Sequence, residues 1–138
     1  MRELKKQDMI DILYGCAVLG TGGGGPLEEG LAMMQKHFDN DEVLQLISLD
    51  ELPDDEYVVT PYGCGAPSAT GLNPKFKDLE VSEVVPSVLA MEALEEALGK
   101  KIYAVGSTEL GGANTAEALH AAREKGVPLL DADPAGRS

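Results

Sequence analysis

Apolar residues along this chain recur with the two periods that separate helices from strands. Residues 8–19 are apolar on nearly every side (Met9, Ile10, Ile12, Leu13, Cys16, Val18), which predicts a buried helix. Leu27, Leu31, Met34 and Phe38 follow at spacings of four, three and four, the mark of an amphipathic helix opened by Pro26. Glu28 and Glu29 fall in its first turn, where they favour the helix dipole. Residues 43–49 alternate enough to form a strand, and the run Tyr57-Val58-Val59-Thr60 forms another, ended by Pro61-Tyr62-Gly63. Val88, Met91, Leu94 and Leu98 line one face of a helix closed by Gly99. A strand at 102–105, a shorter helix marked by Ala116, Leu119 and Ala122 and closed by Gly126, and a last strand at 127–130 complete the pattern.

From Tyr57 onward the order is strand, helix, strand, helix, strand. Such alternation builds a parallel sheet through right-handed crossovers. The expectation is an α/β fold, a three-layer αβα arrangement with a mostly parallel sheet. Residues 1–138 form a single domain of ordinary size, long enough to bury a core without staples.

In such sheets ligands bind along the edge formed by the C-terminal ends of the strands. Here those ends read Tyr62-Gly63-Cys64-Gly65, Gly106-Ser107-Thr108-Glu109 and Asp131-Ala132-Asp133. Three strands thus finish in small, polar or acidic residues on the edge where a site belongs. Glu109 suits a general base or metal ligand, or the cap of the helix beginning near Asn114. Asp131 and Asp133, two apart, would share a face of a continuing strand and chelate a hard cation; in a turn before Pro134 they are simply turn acids. A divalent metal held by Glu109, Asp131 and Asp133 is one cofactor hypothesis. Arg137 could grip a carboxylate or oxyanion with its planar fork, or be a terminal charge.

Gly20-Thr21-Gly22-Gly23-Gly24-Gly25 contains G-x-G-x-x-G with a helix behind it. Backbone amides of Gly22, Gly23, Gly24 and Gly25 could cradle an anion at that helix start. The same run could be a flexible linker between helices, or a dinucleotide site with Asp50 as the ribose-binding acid. The residues before it continue a helical pattern, whereas a dinucleotide fingerprint needs a strand there, and no Gly-Lys-Ser/Thr follows. Cys64 between two glycines would be an exposed thiol, but activation needs a base. The only histidines, His37 and His120, fall on helix bodies as surface residues, so no Cys-His dyad is expected. Cys16 reads as a small core residue and Asn114 as an N-cap.

Eleven Lys and Arg against 24 Asp and Glu give a net charge of −13. That sign argues against nucleic-acid and anionic-membrane partners, both of which need a cationic face. No Lys or Arg occurs between Lys36 and Lys75, while eight acids from Asp39 to Glu56 do. They read as a solvated rim around two strands, with a metal-binding strip as the rival. Two cysteines are too few for a disulfide framework. The N-terminus has no signal-peptide pattern and no apolar run approaches membrane-span length, so a cytoplasmic protein is expected. Residues 66–83, with Pro67, Gly71 and Pro74, form a long unpatterned loop.

Four ordered motifs carry a likeness. Gly15-Cys16-Ala17-Val18-Leu19-Gly20-Thr21-Gly22-Gly23-Gly24-Gly25, Tyr62-Gly63-Cys64-Gly65-Ala66-Pro67, Glu109-Leu110-Gly111-Gly112-Ala113-Asn114 and the stretch from Val127 to Arg137 resemble signatures of the S-methyl-thiohydantoin desulfurase family. Members accompany, or are fused to, hydantoinase/oxoprolinase proteins. The resemblance implies an α/β N-terminal domain and chemistry on a five-membered cyclic amide or thioamide. It also implies a longer protein with a second, β-rich domain, because this chain stops inside the third signature. A missing C-terminal domain, a partner subunit or a homo-oligomer would complete it. The expected function is therefore one half of a ring hydrolase. Glu109 or the Asp131/Asp133 pair would activate water, and Gly22 to Gly25, Gly63, Cys64, Gly111, Gly112, Asn114 and Arg137 would bind substrate. The rivals are a non-catalytic assembly subunit of a hydantoinase-type complex and a nucleotide-binding domain.

Overall fold

The computed structural model of the chain describes residues 1–63, 78 and 84–135. The elements run β1 (Arg2–Leu4), α1 (Lys6–Gly20), α2 (Leu27–Asp39), β2 (Leu44–Ile47), β3 (Tyr57–Val59), α3 (Pro86–Leu98), β4 (Ile102–Gly106), α4 (Gly112–Lys125) and β5 (Leu129–Leu130). They build a five-stranded sheet of order β1-β2-β5-β4-β3, antiparallel only at β1–β2. The α/β fold with a mostly parallel sheet is therefore as expected. Strand β1 is an addition: Arg2-Glu3-Leu4 has no strand-like alternation, and only Leu4 turns into the core, at 0 % exposure. No helix among the described residues is long and apolar enough to cross a membrane.

Register decides which side chains share a face. Leu46, Leu129, Val105 and Val59 lie in one row across the sheet and face the larger core, to which all four helices contribute. Ile47, Ala104 and Leu130 face the other way, in a smaller cluster joined by Leu52, Val58, Tyr103 and Ala132. Successive strand residues point to opposite faces, so one strand feeds both clusters.

The centre of the larger core is α4. Ala116, Ala118, Leu119, Ala121 and Ala122 are all 0 % exposed, so this helix is covered on nearly every side. Alanine makes that possible: its side chain lets α2 and the sheet approach opposite faces closely. By contrast α1 is less buried than its composition suggests. Met9, Leu13 and Cys16 face inward, while Tyr14, Val18 and Leu19 stay exposed.

Helix α3 is rotated relative to the predicted apolar face. Ser87, Met91 and Glu95 point inward, whereas Leu94 and Leu98 are exposed. Glu95 explains the rotation. Its carboxylate accepts the Ile102 N–H at 3.0 Å and pairs with Lys101 at 2.9 Å and Lys125 at 3.1 Å. One acid thereby ties α3 to the start of β4 and to the end of α4. The Lys101 hydrogen bond first, and then the Ile102 amide, hold the Glu95 carboxyl at about 2, against an ordinary 4.5.

A carboxyl depressed on folding stabilises the native state above its unfolded pKa, and that contribution disappears as pH falls toward the folded value. Glu95→Gln is therefore expected to lower the urea midpoint at pH 7. It should also flatten the loss of stability that the parent chain shows between pH 4.5 and about 2. Parallel acid limbs in the two proteins would remove Glu95 from this role.

Candidate functional site

Strands β2, β3, β4 and β5 run in parallel, so their C-terminal ends share one edge. What shapes that edge is contact between two glycine segments. A Cβ on Gly111 would overlap the backbone of Gly23 and Gly24, and one on Gly112 would overlap Pro26 and Leu27. Gly24 and Gly25 adopt φ of 69° and 80°, a region costly for any residue with a Cβ. The first turn of α4 has backbone donors with no partner inside the helix. Gly25 O accepts from the Gly112 amide at 3.1 Å, and Gly24 O accepts from Ala113 at 3.2 Å and Asn114 at 2.9 Å. The glycine run thus supplies carbonyls that cap α4, and the Gly112 amide is already engaged.

A helix, α1, leads directly into the run, and Asp50 lies in a 3₁₀ turn after β2. The strand required by a dinucleotide fingerprint is absent at that position, so that rival loses its geometry. Asn114 is also placed differently from expectation. Gly111 occupies the N-cap of α4, and Asn114 sits inside the first turn, 8 % exposed. Its Oδ1 accepts from the Gly63 amide at 3.3 Å and its Nδ2 donates to Glu109 O at 3.5 Å. It therefore joins the segments that follow β3 and β4.

Beside the clasp lies a cavity of about 390 Å³. Helix α1 forms one wall through Ile12, Gly15, Cys16 and Leu19, and the sheet forms another through Leu46, Leu129 and Leu130. Ser107, Thr115, Asp131 and Asp133 bring polar groups to this otherwise apolar space. The Ser107 hydroxyl donates to Thr115 Oγ1 at 3.4 Å. Asp133 Oδ1 accepts the Ala135 N–H at 2.9 Å, closing a turn. Its Oδ2 is buried with no hydrogen-bond partner among the described residues. Asp131 extends the β5–β2 ladder, donating its amide to Ile47 O at 2.8 Å, and its side chain is more exposed.

Cys16 is a cavity residue that the sequence pattern assigned to the core. The available signal was its spacing with Ile12 and Leu19, which puts all three on one helix face. Burial pushes its thiol above the ordinary range; a hydrogen bond with Thr115 opposes this, and the charge of Asp133 adds to the rise. A protonated thiol is a weak nucleophile at neutral pH.

The predicted site residues divide accordingly. Asp131 and Asp133 line the cavity together. Glu109, exposed and held at φ 50°, follows the adjacent strand but is not among the cavity-lining residues. Among the described residues, Glu109, Asp131 and Asp133 do not converge on one metal-binding point. Gly63 and Asn114 meet, as do Gly23, Gly24 and Gly25 with Gly111-Gly112, whereas Gly22 stands in open space. Cys64, Arg137 and nearly all of the 66–83 loop lie outside the described residues.

The model of the S-Me-THD-like N-terminal domain matches residues 7–138. This chain belongs to that family. A crystal structure of a protein from Chromobacterium violaceum superposes with a TM-score of 0.73 at 26 % identity. The match covers 100 % of this chain and 36 % of the other, so the chain spans about a third of that relative's length. No curated protein matches it significantly. Three of the four motifs quoted above border this site: the first supplies the end of α1 from Gly15 and the glycine run, another supplies Gly111 and Gly112, and the last supplies the two aspartates.

The clasp makes a stability prediction. Gly111→Ala and Gly112→Ala should each destabilise the domain by about 1–3 kcal/mol through backbone overlap. Gly24→Ala should add a left-handed penalty of roughly 1–2 kcal/mol. Gly15 lies in a helix where an added Cβ would meet nothing within 4 Å. It should respond oppositely, Gly15→Ala stabilising by about 0.5–1 kcal/mol. Urea denaturation of the four variants measures this ordering.

Proposed function

We propose that this S-Me-THD-like domain is the substrate-holding half of a hydrolase acting on hydantoin- or thiohydantoin-like cyclic amides. The observation that carries the proposal is the buried, unpartnered Oδ2 of Asp133 in a largely apolar cavity at the C-terminal edge of the sheet. Apolar pockets with a few convergent polar groups suit small flat ligands. The walls from Ile12, Leu46 and Leu130 suit the faces of a five-membered ring, and Asp133 can accept a proton from a ring N–H or from water.

In the reaction, a water oxygen attacks the ring carbon that bears oxygen or sulfur, and its proton passes to Asp133. A C–O bond forms, the C–N or C–S bond breaks, and the departing atom takes up the proton. Thr115, whose Oγ1 accepts from Ser107, offers its own hydroxyl proton to the developing negative charge. The clasp amides that form α4 bonds are not needed in this scheme. Glu109 would act from the rim, on the segment that Asn114 holds.

A second reading rests on the exposed face of α1. Tyr14 is 54 % exposed, Val18 75 % and Leu19 51 %, and Leu19 also lines the cavity. Such a surface suits docking of the rest of a longer protein, a partner subunit or a second copy, which would complete the site.

Titration of the chain with hydantoin and 2-thiohydantoin, followed by NMR, distinguishes these. Binding should shift the resonances of Ser107, Thr115 and Asp133, and Gly15→Leu should abolish it without lowering the melting temperature. In a full-length relative, replacing the aspartate equivalent to Asp133 with Asn should reduce turnover about 10²–10⁴-fold. Unchanged turnover removes the proposed base. Concentration-dependent association with no ring-ligand binding favours the assembly reading.

A further inference from the structure

Away from the cavity, α2 and α4 meet at a polar cluster. His37 is 2 % exposed rather than on the surface, as its position on a helix body had suggested. Its Nδ1 lies 2.7 Å from Glu42 Oε2 and its Nε2 lies 2.7 Å from His120 Nδ1. Glu124 Oε1 is 3.7 Å from the same Nε2. One ligand atom each from His37, His120 and Glu124 thus falls within 4.8 Å of the others.

We infer that His37, His120 and Glu124 form a binding site for a divalent transition metal of the zinc type, clamping α2 to α4. Two imidazoles and a carboxylate are a donor set that selects Zn²⁺ and its neighbours over Mg²⁺ or Ca²⁺. His120 and Glu124 are four residues apart, so they project from one face of α4. The decisive feature is Glu42. Its carboxylate accepts the Nδ1–H of His37 and is itself held by Arg123 Nε at 2.7 Å. A fixed Nδ1 proton leaves the lone pair on Nε2, the atom that faces His120 and Glu124. Metal-bound histidines are oriented by this kind of carboxylate.

The fit requires little movement. Two nitrogens on a tetrahedral Zn²⁺ stand about 3.3 Å apart, so the imidazoles would separate by about 0.6 Å. His120 is only half-buried and Glu124 is exposed, which leaves a route from solvent and a coordination position for water. Lys36 pairs with Glu124 at 3.5 Å but is 71 % exposed, free to swing away. The site stands roughly 8–14 Å along α4 from Thr115, at 1.5 Å per residue, and is therefore separate from the cavity.

Titration of the chain with Co²⁺ at neutral pH, read by visible absorption, tests the inference, with Zn²⁺ as competitor and melting temperature as a second readout. Expected are one Co²⁺ per chain, displacement by Zn²⁺ and a melting temperature that rises with metal concentration. Glu124→Gln changes an exposed residue and should keep the fold while weakening binding. Glu42→Gln, which leaves every ligand in place, should weaken it about 10–100-fold. Absence of a Co²⁺ spectrum and of any melting shift would overturn the site, as would binding unchanged by both substitutions.

Discussion

Everything at the functional edge depends on two stretches of backbone approaching more closely than any side chain would permit. Gly23–Gly25 rests on Gly111 and Gly112, and the carbonyls of Gly24 and Gly25 take the amides that begin α4. A helix start needs acceptors, and here they come from a distant segment rather than from a local cap. The end of α1 is thereby held against the start of α4, and the cavity is the space left between α1, the last strand and the segment after β4. A larger residue in the clasp would move one wall of that cavity, so the glycines shape the site without having to touch a ligand.

The helix that receives this cap also organises the rest of the domain. Its alanines allow α2 on one side and the sheet on the other, and its C-terminal half carries His120, Glu124 and Lys125. Lys125 reaches Glu95 and so links α3 to the same helix. One element therefore connects the cavity at its beginning with two buried polar clusters near its end. In one of them Glu95 pairs with Lys101 and Lys125, and in the other Glu42 faces both His37 and Arg123.

Much of this was legible in the chain. The periodic segments located four helices and four of the five strands, and Gly99 and Gly126 ended α3 and α4 with φ of 65° and 68°. The strand–helix alternation put Asp131 and Asp133 on the ligand-binding edge, where both line the cavity. Strand β1 was not legible, because three residues with one apolar position hold no period. The inward face of α3 was misjudged because Glu95 looks like a solvent residue until Lys101, Lys125 and the Ile102 amide surround it.

The local pattern determined what each segment could be: hydrophobic period sets helix or strand, glycine and proline set the ends, and strand order sets the productive edge. Tertiary structure alone decided which groups meet. It turned the glycine run into a cap for α4, placed Cys16 in a cavity wall and brought His37 to His120 across 83 residues. Periodicity records how a residue relates to its neighbours a turn or two away. Close approach, desolvation and pairing depend on distances between segments, which follow only once the helices have packed.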